Sequence, residues 1–135
     1  MSMGYGAICK LSEIDEFWIM YAYTSYNLNL GDSQKAIKTL DGLIIISKDF
    51  FPDPEIIRKR IKKPSGKKVW IEKKKYEDID LMEYYTAGKI NIENSSHCWQ
   101  LTESGIDIMA LKLLFYLQIE YQKTDKIPKE FEIFS

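Results

Sequence analysis

The sequence predicts a mixed α/β (α+β) fold in which a small sheet, with a hairpin near residues 89–101, is packed by about five helices. The length of 135 residues matches one domain, so residues 1–135 are expected to fold as a single domain. Hydrophobic residues make up 45% of the chain and charged residues 29%, a balance typical of a folded core under a polar surface. Helix-capping residues and short β-branched runs both occur along the chain, which predicts both kinds of element.

The first fifty residues are predicted to contain two helices and one strand. Ser12 and Asp15 match the start of a helix. Large apolar residues recur there at helical spacing, namely Ile14, Phe17, Trp18 and Tyr21. A short second helix, capped by Asp32 or Ser33, is predicted to end at Gly42. The apolar run that follows, at residues 43–46, has the profile of a buried strand.

The middle of the chain is predicted to form a helix and then a strand. Residues 53–55 are an aspartate, a proline and a glutamate, the order typical of a helix cap, a first helical position and a first turn. A helix over residues 54–63 is therefore expected, ended by the Pro-Ser-Gly triplet at residues 64–66. Residues 68–76 are predicted to form a strand with Val69 and Ile71 on one face and Trp70, Glu72 and Lys74 on the other.

A helix and a hairpin are predicted next. Asp78 is a candidate cap for a helix that ends at Gly88. Residues 89–101 place two short segments on either side of an Asn-Ser-Ser turn, which predicts the hairpin.

The last part of the chain is predicted to form a long helix and a terminal strand. The helix would begin near Ser104 and Asp107 and run to about residue 122, with apolar residues around nearly its whole circumference. Its expected core residues are Met109, Leu113 and Leu117, with Leu111 and Phe115 packing on another layer. Alternation at residues 131–134 predicts the strand.

Charge is strongly partitioned along the sequence. Residues 58–75 hold ten of the 19 basic residues and one acidic residue, Glu72, so this segment carries +9. Because the net charge of the chain is −1, the remaining residues sum to −10. We therefore expect a basic patch on an acidic body.

The compartment expected from the sequence is the cytoplasm, and no membrane segment is expected. A membrane helix needs about 20 mostly apolar residues, whereas the apolar stretch at residues 106–119 is interrupted by Asp107, Lys112 and Gln118. The first eleven residues contain one lysine and no apolar run of signal-peptide length. The two cysteines, Cys9 and Cys98, are too few for a disulfide scaffold and are expected to be thiols.

Residue types and spacing favour a protein that is not an enzyme and has no metal or cofactor. His97 is the only histidine, which excludes mechanisms that need two imidazoles. It neighbours Cys98, but successive side chains of a strand point to opposite faces and could not easily act as nucleophile and base. Asp78, Asp80 and Glu83 could bind magnesium or act as general acids, but a capping role for Asp78 and a first-turn role for Asp80 are favoured, since they explain the same residues without chemistry.

The basic segment is the strongest functional signal. Lysines and arginines interleaved with aromatic residues could bind a phosphate backbone, could bind an acidic protein, or could be a solvated face. The pI of about 5.9 argues against a typical nucleic-acid-binding module. The candidate partner-binding residues are Arg58, Arg60, Lys68, Trp70, Lys73, Lys74 and Lys75, together with an acidic and aromatic set formed by Asp78, Asp80, Glu83 and Tyr84.

As a whole the chain resembles the small immunity proteins of bacterial toxin and immunity pairs, especially the contact-dependent growth inhibition type. The shared features are a compact chain rich in lysine, isoleucine and tyrosine, segregated charge, no recognisable catalytic centre, and candidate exposed aromatics at Tyr84, Tyr85 and Trp99. The resemblance implies a cytosolic protein that binds one cognate toxin domain, often a nuclease, and covers its active site or an adjoining surface. A monomer or homodimer is expected. The alternative is a nucleic-acid-binding regulator that uses residues 58–75.

Overall fold

A computed structural model describes residues 5–27, 40–96 and 98–134 of the protein. Strands hold 45% of these residues and helical segments 22%, with two α-helices among them. The expectation of a small sheet packed by about five helices is therefore wrong, and the protein is a small β-rich domain.

The described elements form one five-stranded sheet, a separate hairpin and two helices. In chain order they are β1 (Tyr5–Ile14), β2 (Trp18–Asn27), β3 (Gly42–Ser47), a 3₁₀ turn (Lys48–Phe50), β4 (Glu55–Lys62), β5 (Lys68–Lys75), α1 (Leu81–Thr86), β6 (Ile90–Glu93), α2 (Ile108–Thr124) and β7 (Glu130–Phe134). The sheet is antiparallel and has the strand order β6-β3-β2-β1-β7. Strands β4 and β5 pair only with each other among the described strands. We call residues 55–75 the ribbon.

The core lies between α2 and one face of the five-stranded sheet. Alternate residues of β2, Ile19, Tyr21 and Tyr23, are buried in it, as the two-residue period of a strand requires. From α2 it receives Met109, Leu113 and Leu117, which confirms the predicted core residues of this helix. Phe115 is 54% exposed, so its expected packing on another layer is wrong.

The helix predicted around Ser12 to Tyr21 is wrong, because this part of the chain is the β1–β2 hairpin. Asp15 does not begin a helix. Its Oδ1 accepts hydrogen bonds from the backbone N–H groups of Phe17 (2.9 Å) and Trp18 (2.7 Å), and so stabilises the turn between the strands. The same short side chain can cap a helix or a turn, and pairing with the neighbouring strands decides between them.

The helix predicted over residues 54–63 is also wrong, since these residues form β4. They pair along their whole length with β5, which confirms the strand predicted at residues 68–76. The Pro-Ser-Gly triplet is the hairpin turn, in which the Gly66 N–H donates to the Lys63 carbonyl oxygen (2.8 Å). Gly66 has a φ of +88°, a conformation that glycine adopts without steric cost.

The hairpin predicted near residues 89–101 does not form. Strand β6 pairs with β3, and residues 98–101 do not return beside it. The buried strand at 43–46, the helix that ends before Gly88, the long helix and the terminal strand are confirmed. The cap of α1 is Asp80 rather than Asp78. Most of the short helix predicted after Asp32 lies outside the described residues, and Gly42, where it would end, is the first residue of β3.

Candidate partner-binding surface

The ribbon exposes both of its faces. Of the 16 residues in β4 and β5, 14 are exposed and only Ile61 and Val69 are partly buried. Eight residues per strand give a length of about 26 Å at roughly 3.3 Å per residue. A strand in a folded domain usually buries at least one face, so this degree of exposure distinguishes the ribbon from the five-stranded sheet.

The register of the ribbon assigns every side chain to one of its two faces, because directly opposed residues of an antiparallel pair share a face. The first, which we call the Trp70 face, consists of the pairs Ile56 and Lys74, Arg58 and Glu72, Arg60 and Trp70, and Lys62 and Lys68. The second, which we call the isoleucine face, consists of the pairs Glu55 and Lys75, Ile57 and Lys73, Lys59 and Ile71, and Ile61 and Val69.

The Trp70 face combines an exposed aromatic ring with two guanidinium groups. Trp70 is 69% exposed, and the Arg60 guanidinium lies 6.0 Å from the centre of its ring. Arg58 Nε lies 3.0 Å from Glu72 Oε1 in an ion pair that is itself exposed. The side chains of Arg58, Trp70 and Glu72 border an open cavity of about 350 Å³. This arrangement can contact an apolar or aromatic group and a neighbouring anion at the same time.

The isoleucine face carries apolar residues framed by lysines. Ile57 is 39% exposed and Ile71 is 37% exposed. Lys73 lies opposite the first and Lys59 opposite the second, and both lysines are exposed. This face therefore offers apolar contact area within a positive frame, as the Trp70 face does.

The ribbon is the positive part of an otherwise negative molecule. Its ten basic and two acidic residues give it a charge of +8, and the net charge of −1 leaves −9 for the remainder. The sequence analysis predicted this partition of charge correctly, but it assigned the basic residues before the Pro-Ser-Gly triplet to a helix. Because the segment is a hairpin, its cations project from both faces of one thin element.

The base of the ribbon is attached to the C-terminal end of α2 through Asp125. Lys74 Nζ lies 2.5 Å from Asp125 Oδ2, and the Tyr76 hydroxyl donates to Asp125 Oδ1 (2.8 Å). The Lys74 and Tyr76 hydrogen bonds lower the pKa of the Asp125 carboxyl, and the bond to this carboxylate raises the pKa of Tyr76 to about 12. This carboxylate thus connects the end of the ribbon to the C-terminal end of α2.

The second candidate set, Asp78, Asp80, Glu83 and Tyr84, lies on α1 and just before it. Asp80 accepts from the N–H groups of Met82 (3.0 Å) and Glu83 (3.2 Å), so its carboxylate is engaged as a helix cap. The Tyr84 hydroxyl donates to the Asp49 carbonyl oxygen (3.3 Å), and its ring is partly buried. Asp78 and Glu83 remain exposed.

Metal or nucleophile chemistry gains no support from the described residues. Among residues 5–27, 40–96 and 98–134, no three histidine, cysteine or acidic side chains form a group that could hold a metal ion. The structure therefore does not bring Asp78, Asp80 and Glu83 together as the magnesium alternative would require. Cys9 is buried, which raises the pKa of its thiol to about 12, and Cys98 is partly buried. His97 lies outside the described residues.

Sequence reasoning missed Ile57 and Ile71 as surface residues. The interpretation of residues 54–63 as a helix gave Ile57 no strand neighbours and no place on a sheet face. Two signals could have identified the hairpin. These were the β-branched isoleucines on both sides of the Pro-Ser-Gly triplet, and the similar spacing of basic residues before and after it.

Comparison of the chain with protein-family models, with curated proteins and with solved structures found no match. Neither described helix has the length and apolar composition that crossing a membrane would require. Any functional assignment therefore depends on the chain's own residues, and the ribbon is the feature of the described structure with the strongest binding chemistry.

Proposed function

We propose that this protein is an immunity protein, which binds and neutralises a cognate bacterial toxin domain through the ribbon. The observation that carries the proposal is the placement of ten of the 19 basic residues on a hairpin whose strands expose 14 of 16 residues. In this proposal the protein acts in the bacterial cytoplasm, without enzymatic activity or a cofactor. The resemblance of the whole chain to immunity proteins supports the same conclusion.

Charge and anchor residues would have separate roles in such an interface. A charge of +8 on one element attracts an acidic surface and speeds association. Tryptophan and arginine are the residue types that most often dominate the binding energy once they are desolvated, and Trp70 and Arg60 face each other across the ribbon. A nuclease that holds its metal ion with carboxylates would present a matching acidic surface around its active site.

The proposal predicts that a toxin is encoded beside this chain, and it is tested with the toxic domain of that protein. The wild-type protein should bind this domain, abolish its activity and protect cells that express it. The ribbon variant combines substitutions that leave the contact between Lys74 and Asp125 intact, namely Lys59→Glu, Lys68→Glu and Lys73→Glu. The matched control makes three exposed charge reversals on the body, namely Lys123→Glu, Lys126→Glu and Lys129→Glu.

We expect the ribbon variant to associate at least tenfold more slowly than the wild type at low ionic strength, with the difference shrinking as salt is added. The body control should keep most of the wild-type rate. Equal rates for both variants would contradict the ribbon as the binding surface. Failure of the wild-type protein to bind or neutralise the toxin domain would contradict the function itself.

A nucleic-acid-binding regulator is the second candidate, and one observation favours it. A two-stranded ribbon fits the major groove of DNA, which is about 12 Å wide, and Trp70 is exposed enough to stack on a base. Titration of the protein with duplex and single-stranded DNA and RNA across a salt series decides between the candidates. Tight binding whose logarithm falls steeply with the logarithm of salt concentration would support the regulator and overturn the immunity function.

A further inference from the structure

We propose that the ribbon inserts into an acidic-walled cleft of a protein partner and is held there on both of its faces. This inference rests on the proposed function and specifies how the partner is bound. It departs from the usual docking of one flat surface on another, because it requires that the Trp70 face and the isoleucine face are both buried in the complex.

The first support is that apolar residues are exposed on both faces. The Trp70 face exposes Trp70 (69%) and Ile56 (59%), whereas the isoleucine face exposes Ile57 (39%) and Ile71 (37%). Exposed apolar residues that are grouped on one element mark an interaction surface more strongly than scattered ones. Flat docking would bury one of these pairs and leave the other in water.

The second support is that cations accompany the apolar residues on both faces. Arg58 and Arg60 lie on the Trp70 face, and Lys59 and Lys73 lie on the isoleucine face. A partner that contacts both faces must therefore present acidic groups on two opposed walls. With about 10 Å between packed layers on each side of the ribbon, the main chains of these walls would lie about 20 Å apart.

The isoleucine face also favours a protein partner over nucleic acid. The walls of a nucleic-acid groove are sugar and phosphate, which satisfy lysines but offer Ile57 and Ile71 little apolar surface. A protein cleft can place aliphatic side chains against the isoleucines and carboxylates against the flanking lysines. A nucleic-acid partner would explain the exposed cations and Trp70, but it would give the apolar residues of the isoleucine face nothing to pack against.

The test compares one-face variants by their dissociation rates from the toxin domain used to test the proposed function. Trp70→Ala changes the Trp70 face alone, and Ile57→Ser with Ile71→Ser changes the isoleucine face alone. Phe115→Ala is the control, because it removes an exposed apolar side chain from α2. We expect each one-face variant to dissociate at least tenfold faster than the wild type, and the control to dissociate at the wild-type rate.

Lysine footprinting of the wild-type complex gives a second measurement that needs no substitution. Acetylation followed by mass spectrometry should show protection of Lys62 and Lys68 on the Trp70 face and of Lys59 and Lys73 on the isoleucine face. Lys123 on the body should react equally in the free and bound protein.

The outcomes separate this inference from the proposed function. Faster dissociation and protection on both faces support insertion. Effects confined to one face, with the toxin still neutralised, would overturn insertion and leave an immunity protein that docks flat. A toxin domain that does not bind the wild type would overturn both, and tight salt-dependent binding to DNA or RNA would replace them with the regulator.

Discussion

Asp107 is a buried carboxylate that joins α2 to β2. Its Oδ2 accepts hydrogen bonds from the Tyr23 hydroxyl (3.0 Å) and from Ser25 Oγ (2.6 Å), and its Oδ1 accepts from the Met109 N–H (3.0 Å). Its side chain is fully buried, as are those of Tyr23 and Ser25. Replacing it with alanine removes all three acceptor contacts at once. We expect Asp107→Ala to lower the free energy of unfolding by about 3 kcal/mol.

This magnitude follows from two contributions. The bond to Met109 is a helix cap, whose loss costs about 1 kcal/mol. The Tyr23 hydroxyl loses the acceptor of its proton inside the core, and an unsatisfied buried group costs about 2 kcal/mol. Ser25 Oγ contributes little to the total, because Ser95 Oγ lies 3.3 Å away and can accept its proton instead.

The measurement is urea unfolding followed by tryptophan fluorescence and circular dichroism. The midpoint should fall while the m-value stays unchanged, since the surface exposed on unfolding is almost the same. Asp80→Ala is the matched control. This substitution likewise removes an aspartate that caps a helix, here through two backbone contacts. Because the site is exposed, the loss in the free energy of unfolding should be about 1 kcal/mol or less.

Equal costs for Asp107→Ala and Asp80→Ala would refute this reasoning, because they would show that the buried hydroxyls find other partners. A double-mutant cycle makes the same point independently. Adding Tyr23→Phe to Asp107→Ala should cost less than Tyr23→Phe costs in the wild type, since the acceptor of the hydroxyl proton is already gone.

Three further predictions concern the core, the base of the ribbon and its charge. Leu113→Ala should destabilise the protein by about 2–5 kcal/mol and Phe115→Ala by about 0.5 kcal/mol or less, as urea midpoints will show; similar values would mean that the helix face is misassigned. Because the pKa of Asp125 is lowered in the folded protein, the stability it contributes is present above its ordinary pKa of 3.8 and is lost as the pH falls below it. The difference in thermal midpoint between wild type and Asp125→Asn should therefore shrink below about pH 4, and a constant difference would contradict the linkage. Glu72→Gln frees Arg58 from its ion pair and should speed association with the toxin domain by roughly two- to fivefold at low salt, the scale of one surface charge pair; slower association would show that Glu72 itself contacts the partner.

Local sequence patterns correctly predicted most of the strands and helices whose residues clearly favour one type of secondary structure. The apolar run at 43–46, the alternation at 68–76 and the capped long helix kept their predicted type in the structure. Each of these segments contains residues that favour one conformation whatever lies beside it. The confirmed elements supply much of the core, but they do not determine how the sheet is ordered.

The errors arose where two periodicities fitted the same residues. Ile14, Phe17, Trp18 and Tyr21 have helical spacing, yet Phe17 and Trp18 belong to a turn and a strand start, and both are exposed. The two-residue period that decides the fold begins at Ile19 and becomes visible only when the neighbouring strands are known. Strand pairing across many residues overrode local spacing, and the capping rules could not detect it.

The candidate site was predictable in composition and unpredictable in shape. Charge counting identified the basic segment because charge is a property of the sequence alone. The two faces of the ribbon depend on the register between β4 and β5, and that register is fixed by the turn at Gly66. The buried network around Asp107 was equally hidden, since only the Asp107 cap of α2 leaves a local sequence signal.

The lysines of the ribbon and its apolar residues support different conclusions. A free two-stranded ribbon has two unpaired edges, and lysines on such edges prevent pairing with other chains whether or not a partner exists. Trp70, Ile57 and Ile71 give no such protection, and the apolar surface that they leave in water contributes no hydrophobic stabilisation to the folded protein. The core between α2 and the sheet supplies the stability of the body, so it does not need these side chains. Their exposure on an element that the body does not cover therefore indicates binding more strongly than the charge of the ribbon does.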